Sequence, residues 1–221
     1  MFKIIKNFIL TSITIFQVLL FFSACSYKKQ FDSNYYCKKL KFSCIQSNKV
    51  VNFITSKGNF EVLLFGKHNP VTVSNFLENI DNNIYANQKF YKIINYPQIS
   101  FIHGGVYSGN KLYIERKQNL NKISPSIPLE LTFIEENKPR YNYQIKNPNE
   151  TENLVNTFES GSIAMVKRGK NMSSSTEFFF VTSKIPELDG RYSIFGKIIK
   201  GLDVLKKINK EDYIKAVQIT N

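Results

Sequence analysis

The stretch PELDGRYSIFGKIIKGLDVLKKI, from Pro186 to Ile208, carries the pattern that decides the fold. Its centre, Ile194–Ile199, is rich in Ile and predicts a β-strand. In the segment that follows, Leu202, Leu205 and Ile208 fall on one side of a helix. The stretch therefore predicts a strand that leads into a helix packed on the core by one face.

Strand-like runs recur along the rest of the chain. VVNFIT, a turn centred on Gly58 and FEVLLF predict a β-hairpin, because β-branched and aromatic residues flank the glycine on both sides. Five further runs bring the total to eight strands; they are Lys89–Ile94, Ile99–His103, Ser162–Met165, Phe178–Thr182 and Tyr213–Ile219.

The clearest helix is predicted from Asn69 onward. Asn69 can cap a helix, and Pro70 suits its first position. Apolar residues then follow at helical spacing, namely Val73, Phe76, Leu77 and Ile80. This helix should bury one face.

Many short strands, two helices and no βαβ alternation predict a single all-β domain, either a barrel or a sandwich. The length of 221 residues and the hydrophobic content of 43% fit one globular domain. We expect residues 106–160, with several prolines among Asn and Lys, to form long loops. NMSSST, Asn171–Thr176, predicts a flexible loop.

The N-terminus has a different composition. A basic leader with two lysines precedes an apolar run, Phe8–Phe22, which ends in SAC at Cys25. This order predicts a secretion signal over residues 1–24. FFSAC resembles the bacterial lipobox, whose cysteine is acylated, although the family prefers Leu where Phe22 stands. We expect a lipid on Cys25 and a protein anchored to a membrane of the cell envelope, on the periplasmic or lumenal side; an uncleaved anchor is the alternative.

Two more cysteines lie in a polar, lysine-rich segment, 25–48, which we expect to be a flexible stem. In an oxidising compartment Cys37 and Cys44 could form a disulfide, or they could remain unpaired in the stem. The chain has no Cys-x-x-Cys motif, and its two histidines lack accompanying ligands, so we expect no metal.

The net charge of +13 would favour nucleic-acid binding in a cytosolic protein. Because a secretion signal removes that partner, we expect no nucleic-acid binding. The charge is then best interpreted as solvated lysines, with some attraction to anionic lipid headgroups or acidic envelope polymers.

Several motifs occur together in the order and spacing of the cyclophilins, the barrel-shaped peptidyl-prolyl cis-trans isomerases. They are GNFEVLLF, NPVTVSNFLENI, FYKII, IHGG, GSIAMVKRG, EFFF and the stretch quoted first. The resemblance spans Val50–Ile219 and implies an eight-stranded antiparallel closed β-barrel capped by two α-helices, formed by residues 49–221. It implies rotation of Xaa-Pro bonds in proline-containing polypeptides. We expect a monomer without a cofactor, since bond rotation involves neither redox nor phosphate chemistry.

The resemblance also implies a catalytic pair. In cyclophilins the arginine of Phe-His-Arg-Val-Ile stabilises the twisted amide, and FYKII places Lys92 at that position. A lysine offers a point charge instead of a flat fork of donors, so we expect weaker catalysis. The glutamine that precedes the paired glycines in the family is His103 here.

Further residues are implied as substrate-binding. Phe179 and Leu188 match the family's pocket, with Met165 close by. Three pocket positions differ, with Glu177 for glutamine, Glu187 for tryptophan and Tyr192 for histidine. Either Ser100 or Phe101 stands for the pocket phenylalanine, because the preceding segment is a few residues longer than in the family.

Each assignment has an alternative without function. Lys92 could be a solvated lysine and His103 a structural histidine, and either glutamate could form an ion pair with Lys92 or Arg191. Three functions stay open: an isomerase for exported proteins, a catalytically poor peptide-binding or chaperone module of the envelope, and a structural lipoprotein with a vestigial groove. We favour the first, with slow catalysis.

Overall fold

The computed structural model describes residues 32–97, 99–107 and 124–220. The predicted signal peptide and the predicted lipidation site Cys25 lie outside the described residues. Within these ranges, no helix combines the length and the apolar character that crossing a membrane requires.

Most of the regular structure in these ranges is β-structure. The strands are β1 (Lys49–Thr55), β2 (Asn59–Leu64), β3 (Gln88–Lys89), β4 (Lys92–Tyr96), β5 (Ile99–Gly105), β6 (Ser126–Pro128), β7 (Glu130–Leu131), β8 (Arg140–Tyr141), β9 (Ser162–Lys167), β10 (Met172–Val181), β11 (Ile194–Lys200) and β12 (Tyr213–Thr220). The α-helices are α1 (Ser33–Leu40), α2 (Pro70–Asp81) and α3 (Leu202–Leu205), and short 3-10 helices span Pro148–Asn153 and Pro186–Leu188.

Ten strands form one antiparallel sheet. Its order is β3-β12-β1-β2-β11-β9-β10-β5-β4, with β6 paired to the first part of β10. The sheet curls on itself, because β3 lies at one end of this order yet contacts β5 near the other end. The all-β class is therefore confirmed, with ten strands in the sheet where the sequence predicted eight. Closure of the sheet into a barrel stays a prediction.

Aromatic side chains fill the inside of the curl. Phe53 of β1 stacks on Phe60 of β2, with ring centroids 4.9 Å apart. Phe76 of α2 contacts Phe178 of β10 at 5.7 Å, and Phe180 contacts Phe53 at 5.6 Å. All five rings are at most 1% exposed, and each such ring stabilises the fold by about 1.5–3 kcal/mol. Helix α2 is thereby fixed against the sheet.

The hairpin β1–β2 and helix α2 occur where the sequence predicted them. The predicted strand Lys89–Ile94 is divided into β3 and β4, because Phe90 turns into the core and is fully buried. Asn171–Thr176 also differs from prediction, since most of it belongs to β10 and not to a flexible loop. Two asparagines of α2, Asn75 and Asn79, each donate a hydrogen bond of 2.7 Å to one carbonyl oxygen in this segment, that of Ser175.

The segment 106–160, expected as long loops, contributes β6, β7 and β8 and a buried acid. Glu130 of β7 is 0% exposed, and its carboxylate accepts the backbone N–H groups of Val71 (3.1 Å) and Thr72 (2.9 Å) at the start of α2. Asn69 precedes the helix but makes no capping hydrogen bond with its side chain. Burial raises the pKa of Glu130 to about 7, an effect that these hydrogen bonds partly oppose.

Residues 32–48 differ from the flexible stem that the sequence predicted. They form helix α1, capped by the Asp32 side chain, and a loop closed by a disulfide between Cys37 and Cys44. Cys37 is 2% exposed, and Ser33 accepts a 2.8 Å hydrogen bond from the Tyr141 hydroxyl. Contacts with α2 and β8 therefore hold this segment against the domain. The polar composition of residues 32–48 gave no indication of these contacts.

Candidate functional site

Three neighbouring strands bring the main predicted residues to one surface. In the β4–β5 pair, Lys92 lies opposite His103 and Ile94 lies opposite Phe101. On the other side of β5, Phe179 of β10 lies opposite His103. Residues directly opposite each other in an antiparallel pair project from the same face of the sheet. The strand register thus places these five side chains together.

A groove of about 410 Å³ lies on this face. Six of the predicted site residues line it, namely Lys92, His103, Phe101, Phe179, Leu188 and Tyr192. Of the two residues that the sequence left open for the pocket phenylalanine, Phe101 lines the groove and Ser100 is not among its described lining residues. Glu187 is exposed on the short 3-10 helix and is not among the lining residues.

The floor of the groove is aromatic. The ring of Phe179 stacks on His103 at 5.4 Å and on Phe158 at 5.8 Å. The ring of Tyr192 contacts that of Phe179 edge to face, with centroids 5.1 Å apart, and the ring of Phe101 lies 6.1 Å from that of Phe179. Such an apolar surface can hold a small ring such as that of proline by burial and by ring contacts.

Phe158 supports this floor from a segment where the sequence predicted loops. Its backbone N–H donates a 2.7 Å hydrogen bond to the Asp189 carboxylate, in the LDG motif of the first quoted stretch. Burial raises the pKa of Asp189, and this hydrogen bond partly opposes the effect. The motif thus positions the second layer of the groove, while its Leu188 lines the surface.

His103 is uncharged in the folded protein, as its pKa shows. Burial, followed by the positive charge of Lys92, lowers the pKa of His103 to about 4. The imidazole is therefore neutral at neutral pH and can both donate and accept a hydrogen bond. This is the capacity that a glutamine side chain would offer at the same position.

Lys92 is exposed at the start of β4, on the groove wall. Among the described residues, no carboxylate forms an ion pair with it. Its ammonium is therefore available to a bound peptide. It is also less rigidly held than a paired cation would be.

Glu177 lies beyond the groove and is nearly buried, with 6% of the residue exposed. Its carboxylate accepts hydrogen bonds from Tyr91 (3.3 Å) and Ser174 (3.2 Å) and pairs with Arg168 at 3.5 Å. Burial raises its pKa, and these three neighbours oppose the effect. The alternative to substrate contact was an ion pair of Glu177 with Lys92 or Arg191, and the observed partner is Arg168. Glu177 was also expected to contact the substrate, but it is not among the described residues that line the groove.

Met165 also lies away from the groove surface. It is 0% exposed and belongs to the main core, where it lies opposite Phe178 in the strand register. Because side chains alternate along β9, its neighbours on either side face the opposite way. One of them, Val166, lines the groove instead of Met165.

The sequence did not single out four residues that line the groove, namely Ile94, Tyr96, Val166 and Lys167. The alternation of a strand could have found two of them, since Ile94 and Tyr96 follow Lys92 at steps of two. Lys167 gave no signal, because a lysine at a strand end is usually a solvated residue.

No cluster of three or more His, Cys, Asp or Glu side chains that could hold a metal ion occurs in the described part of the chain.

Comparison with known proteins identifies the family. The model of the family "Cyclophilin type peptidyl-prolyl cis-trans isomerase/CLD" matches residues 50–221. The chain therefore belongs to the cyclophilin-type peptidyl-prolyl cis-trans isomerases, which confirms the resemblance found in its motifs. It is an isomerase of Xaa-Pro peptide bonds.

Individual relatives agree with this assignment. The chain is 31% identical to a peptidyl-prolyl cis-trans isomerase of Helicobacter pylori over 74% of its length and 82% of the relative. It is 27% identical to one of Acinetobacter baylyi, over 73% of its length and 72% of the relative.

Two solved structures of the cyclophilin type isomerase of Cryptosporidium parvum share the fold. They match with TM-scores of 0.54 and 0.53 at 24% and 23% identity, over 79% and 78% of this chain and 99% of each structure. The second was determined in the presence of the dipeptide Ala-Pro.

Proposed function

We propose that this isomerase accelerates Xaa-Pro rotation in exported proteins, slowly, with Lys92 as the hydrogen-bond donor and His103 beside it. The observation that carries the proposal is the placement of Lys92 opposite His103 on the wall of a groove with an aromatic floor. The neighbouring fold determined with Ala-Pro supports a proline-containing peptide as the occupant.

The mechanism needs no covalent step. Amide resonance sets a barrier of about 18–20 kcal/mol to rotation. As the bond twists, its nitrogen regains a lone pair and its carbonyl becomes more ketone-like. A groove that holds the proline ring against Phe179 while a donor reaches the twisted amide binds the transition state better than either planar isomer.

Lys92 would supply that donor with limited efficiency. An ammonium is strongly hydrated and sits on a flexible stem, so its orientation and desolvation cost more than those of a guanidinium. Neutral His103 lies next to it and can accept or donate without adding charge. The same features support a rate below that of a cyclophilin with arginine.

The test is an isomerisation assay on a short Xaa-Pro peptide with Lys92→Ala and Lys92→Arg. Removing one charged donor costs about 1.5–3 kcal/mol, which corresponds to a loss of about tenfold to a hundredfold in kcat/KM. Lys92→Arg should raise kcat/KM by about tenfold, equivalent to one further hydrogen bond of about 1.4 kcal/mol. Because Lys92 is exposed, neither change should affect stability by more than about 0.5 kcal/mol. An unchanged rate in Lys92→Ala would exclude Lys92 as the donor.

A catalytically poor peptide-binding or chaperone role is the second candidate. It is favoured by the exposure of Lys92, which no carboxylate holds in place within the described ranges. Peptide binding without acceleration of the isomerisation at high protein concentration would identify it.

We extend the proposal to location. The predicted secretion signal and Cys25 support a lipid anchor on the exported side of an envelope membrane, and the Cys37–Cys44 disulfide fits an oxidising compartment. The mass of the native N-terminus tests the anchor: a diacyl or triacyl adduct on Cys25 supports it, and an unmodified Met1 contradicts it.

A further inference from the structure

Two cations line the groove on opposite sides of its aromatic floor. Lys92 begins β4, and Lys167 ends β9. In the sheet, β10 and β5 lie between these two strands, so the lysines are three strand spacings apart, about 14 Å across the strands. The register aligns Lys92 with Ala164, and Lys167 lies about 10 Å further along β9. Both lysines are exposed, so their ammonium groups can reach a peptide that lies across the floor.

Among the described residues that line the groove, none carries a carboxylate that could neutralise these lysines. Two buried acids near the groove are already engaged: Glu177 pairs with Arg168 and accepts hydrogen bonds from Tyr91 and Ser174, and Asp189 accepts the backbone N–H of Phe158. The exposed Glu187 precedes Leu188 at one end of the groove. Of the described residues that line the groove, those that carry a charge at neutral pH are therefore both cations.

The geometry points to a substrate preference: this groove selects segments that carry an acidic side chain directly before or directly after the proline. In an extended peptide each residue advances the chain by about 3.3 Å, so side chains at these positions lie within reach of one lysine or the other. This inference rests on the proposed function, because it names the substrate class of the same groove.

Charge complementarity sets the expected size of the effect. A pair of exposed charges contributes about 0.2–1 kcal/mol, which corresponds to at most about fivefold in affinity. Because the Debye length is only about 3 Å in 1 M salt, the preference should disappear there. A preference that depended on apolar contacts would persist in 1 M salt, because salt screens charges and not apolar burial.

The experiment compares three proline peptides that differ only in Glu, Gln or Lys at the residue before the proline, and three that differ in the same way at the residue after it. Binding is measured by calorimetry, and kcat/KM by the isomerisation assay, with the full-length protein. We expect the Glu peptide to exceed the Gln peptide by about threefold to fivefold in at least one series, and the Gln peptide to exceed the Lys peptide.

Variants locate the effect. Lys167→Gln should reduce the preference, and Lys167→Glu should reverse it towards the Lys peptide. Lys197→Gln is the matched control, since Lys197 is an exposed lysine of the neighbouring strand β11 that does not line the groove. It should retain the preference of the wild type.

The outcomes separate the two proposals. Equal affinities for the Glu, Gln and Lys peptides in both series, together with measurable isomerisation, would overturn the inference and leave the proposed function intact. A preference that survives Lys167→Glu, or that Lys197→Gln abolishes as strongly, would also overturn it, because the overall charge would then be responsible. Failure of every peptide to bind or to be isomerised would refute the proposed function itself.

Discussion

Replacing the buried acid Glu130 by Gln should change how stability depends on pH. The pKa of this carboxyl is about 7 in the folded protein, against an ordinary value of 4.5. The folded protein thus binds the proton more tightly than the unfolded chain does. The stability that Glu130 contributes is therefore present below about pH 4.5 and is lost as the pH rises through 7. A difference of 2.5 pKa units corresponds to about 3 kcal/mol.

The measurement is urea unfolding of the wild type and of Glu130→Gln at several values between pH 4.5 and 8. The free energy of unfolding of the wild type, minus that of the variant, should fall by about 3 kcal/mol across this range. Subtraction removes the contributions of other groups, including His103, whose lowered pKa acts in the opposite direction. Glu61→Gln is the control, because the exposed pair of Glu61 with Lys200 contributes less than about 1 kcal/mol. A difference that stays constant with pH would refute the reasoning.

Two further predictions concern stability. An added Cβ at Gly105, which has φ of +91°, would overlap the carbonyl oxygen of Thr176, so Gly105→Ala should lower the melting temperature strongly. Gly169 has φ of +85°, and no atom of the described residues lies within 4 Å of an added Cβ, so Gly169→Ala should cost only about 1 kcal/mol. The opposite order in thermal unfolding would contradict this. Loss of the disulfide in Cys37→Ser with Cys44→Ser should lower the free energy of unfolding by about 2–3 kcal/mol, as a loop of this length implies, and equal urea midpoints for variant and wild type would exclude it.

The sequence predicted those elements whose signals are local. Helix α2 has a proline at its first position and apolar residues at helical spacing, and both signals lie within the helix itself. The hairpin of β1 and β2 depends on a turn at Gly58, where φ is +137°. Neither prediction requires knowledge of distant contacts.

The segments that differ from prediction are held by distant partners. Glu130 meets the start of α2 from about sixty positions along the chain, and Ser33 meets Tyr141 across 108 positions. The composition of these segments is polar, and propensity alone favours loops for them. Tertiary hydrogen bonds and the disulfide outweigh that propensity.

For the groove, the motifs identified most of the lining residues but not the direction in which every side chain points. The resemblance implied substrate-binding roles for Met165 and Glu177, yet Met165 lies in the core and Glu177 is covered by Tyr91 and Arg168. Strand alternation explains Met165, since its neighbour Val166 lines the groove. Glu177, which pairs with Arg168, lies where the register between β9 and β10 shifts, between Ser173 and Phe178, and no sequence pattern showed this irregularity.

Because helix α1 packs against the domain, the chain between Cys25 and the folded domain is short. A free stem over residues 25–48 could extend to about 80 Å, whereas only seven residue steps separate Cys25 from Asp32, at most about 25 Å. If Cys25 carries a lipid, the start of the catalytic domain at Asp32 would stay within about 25 Å of the membrane surface.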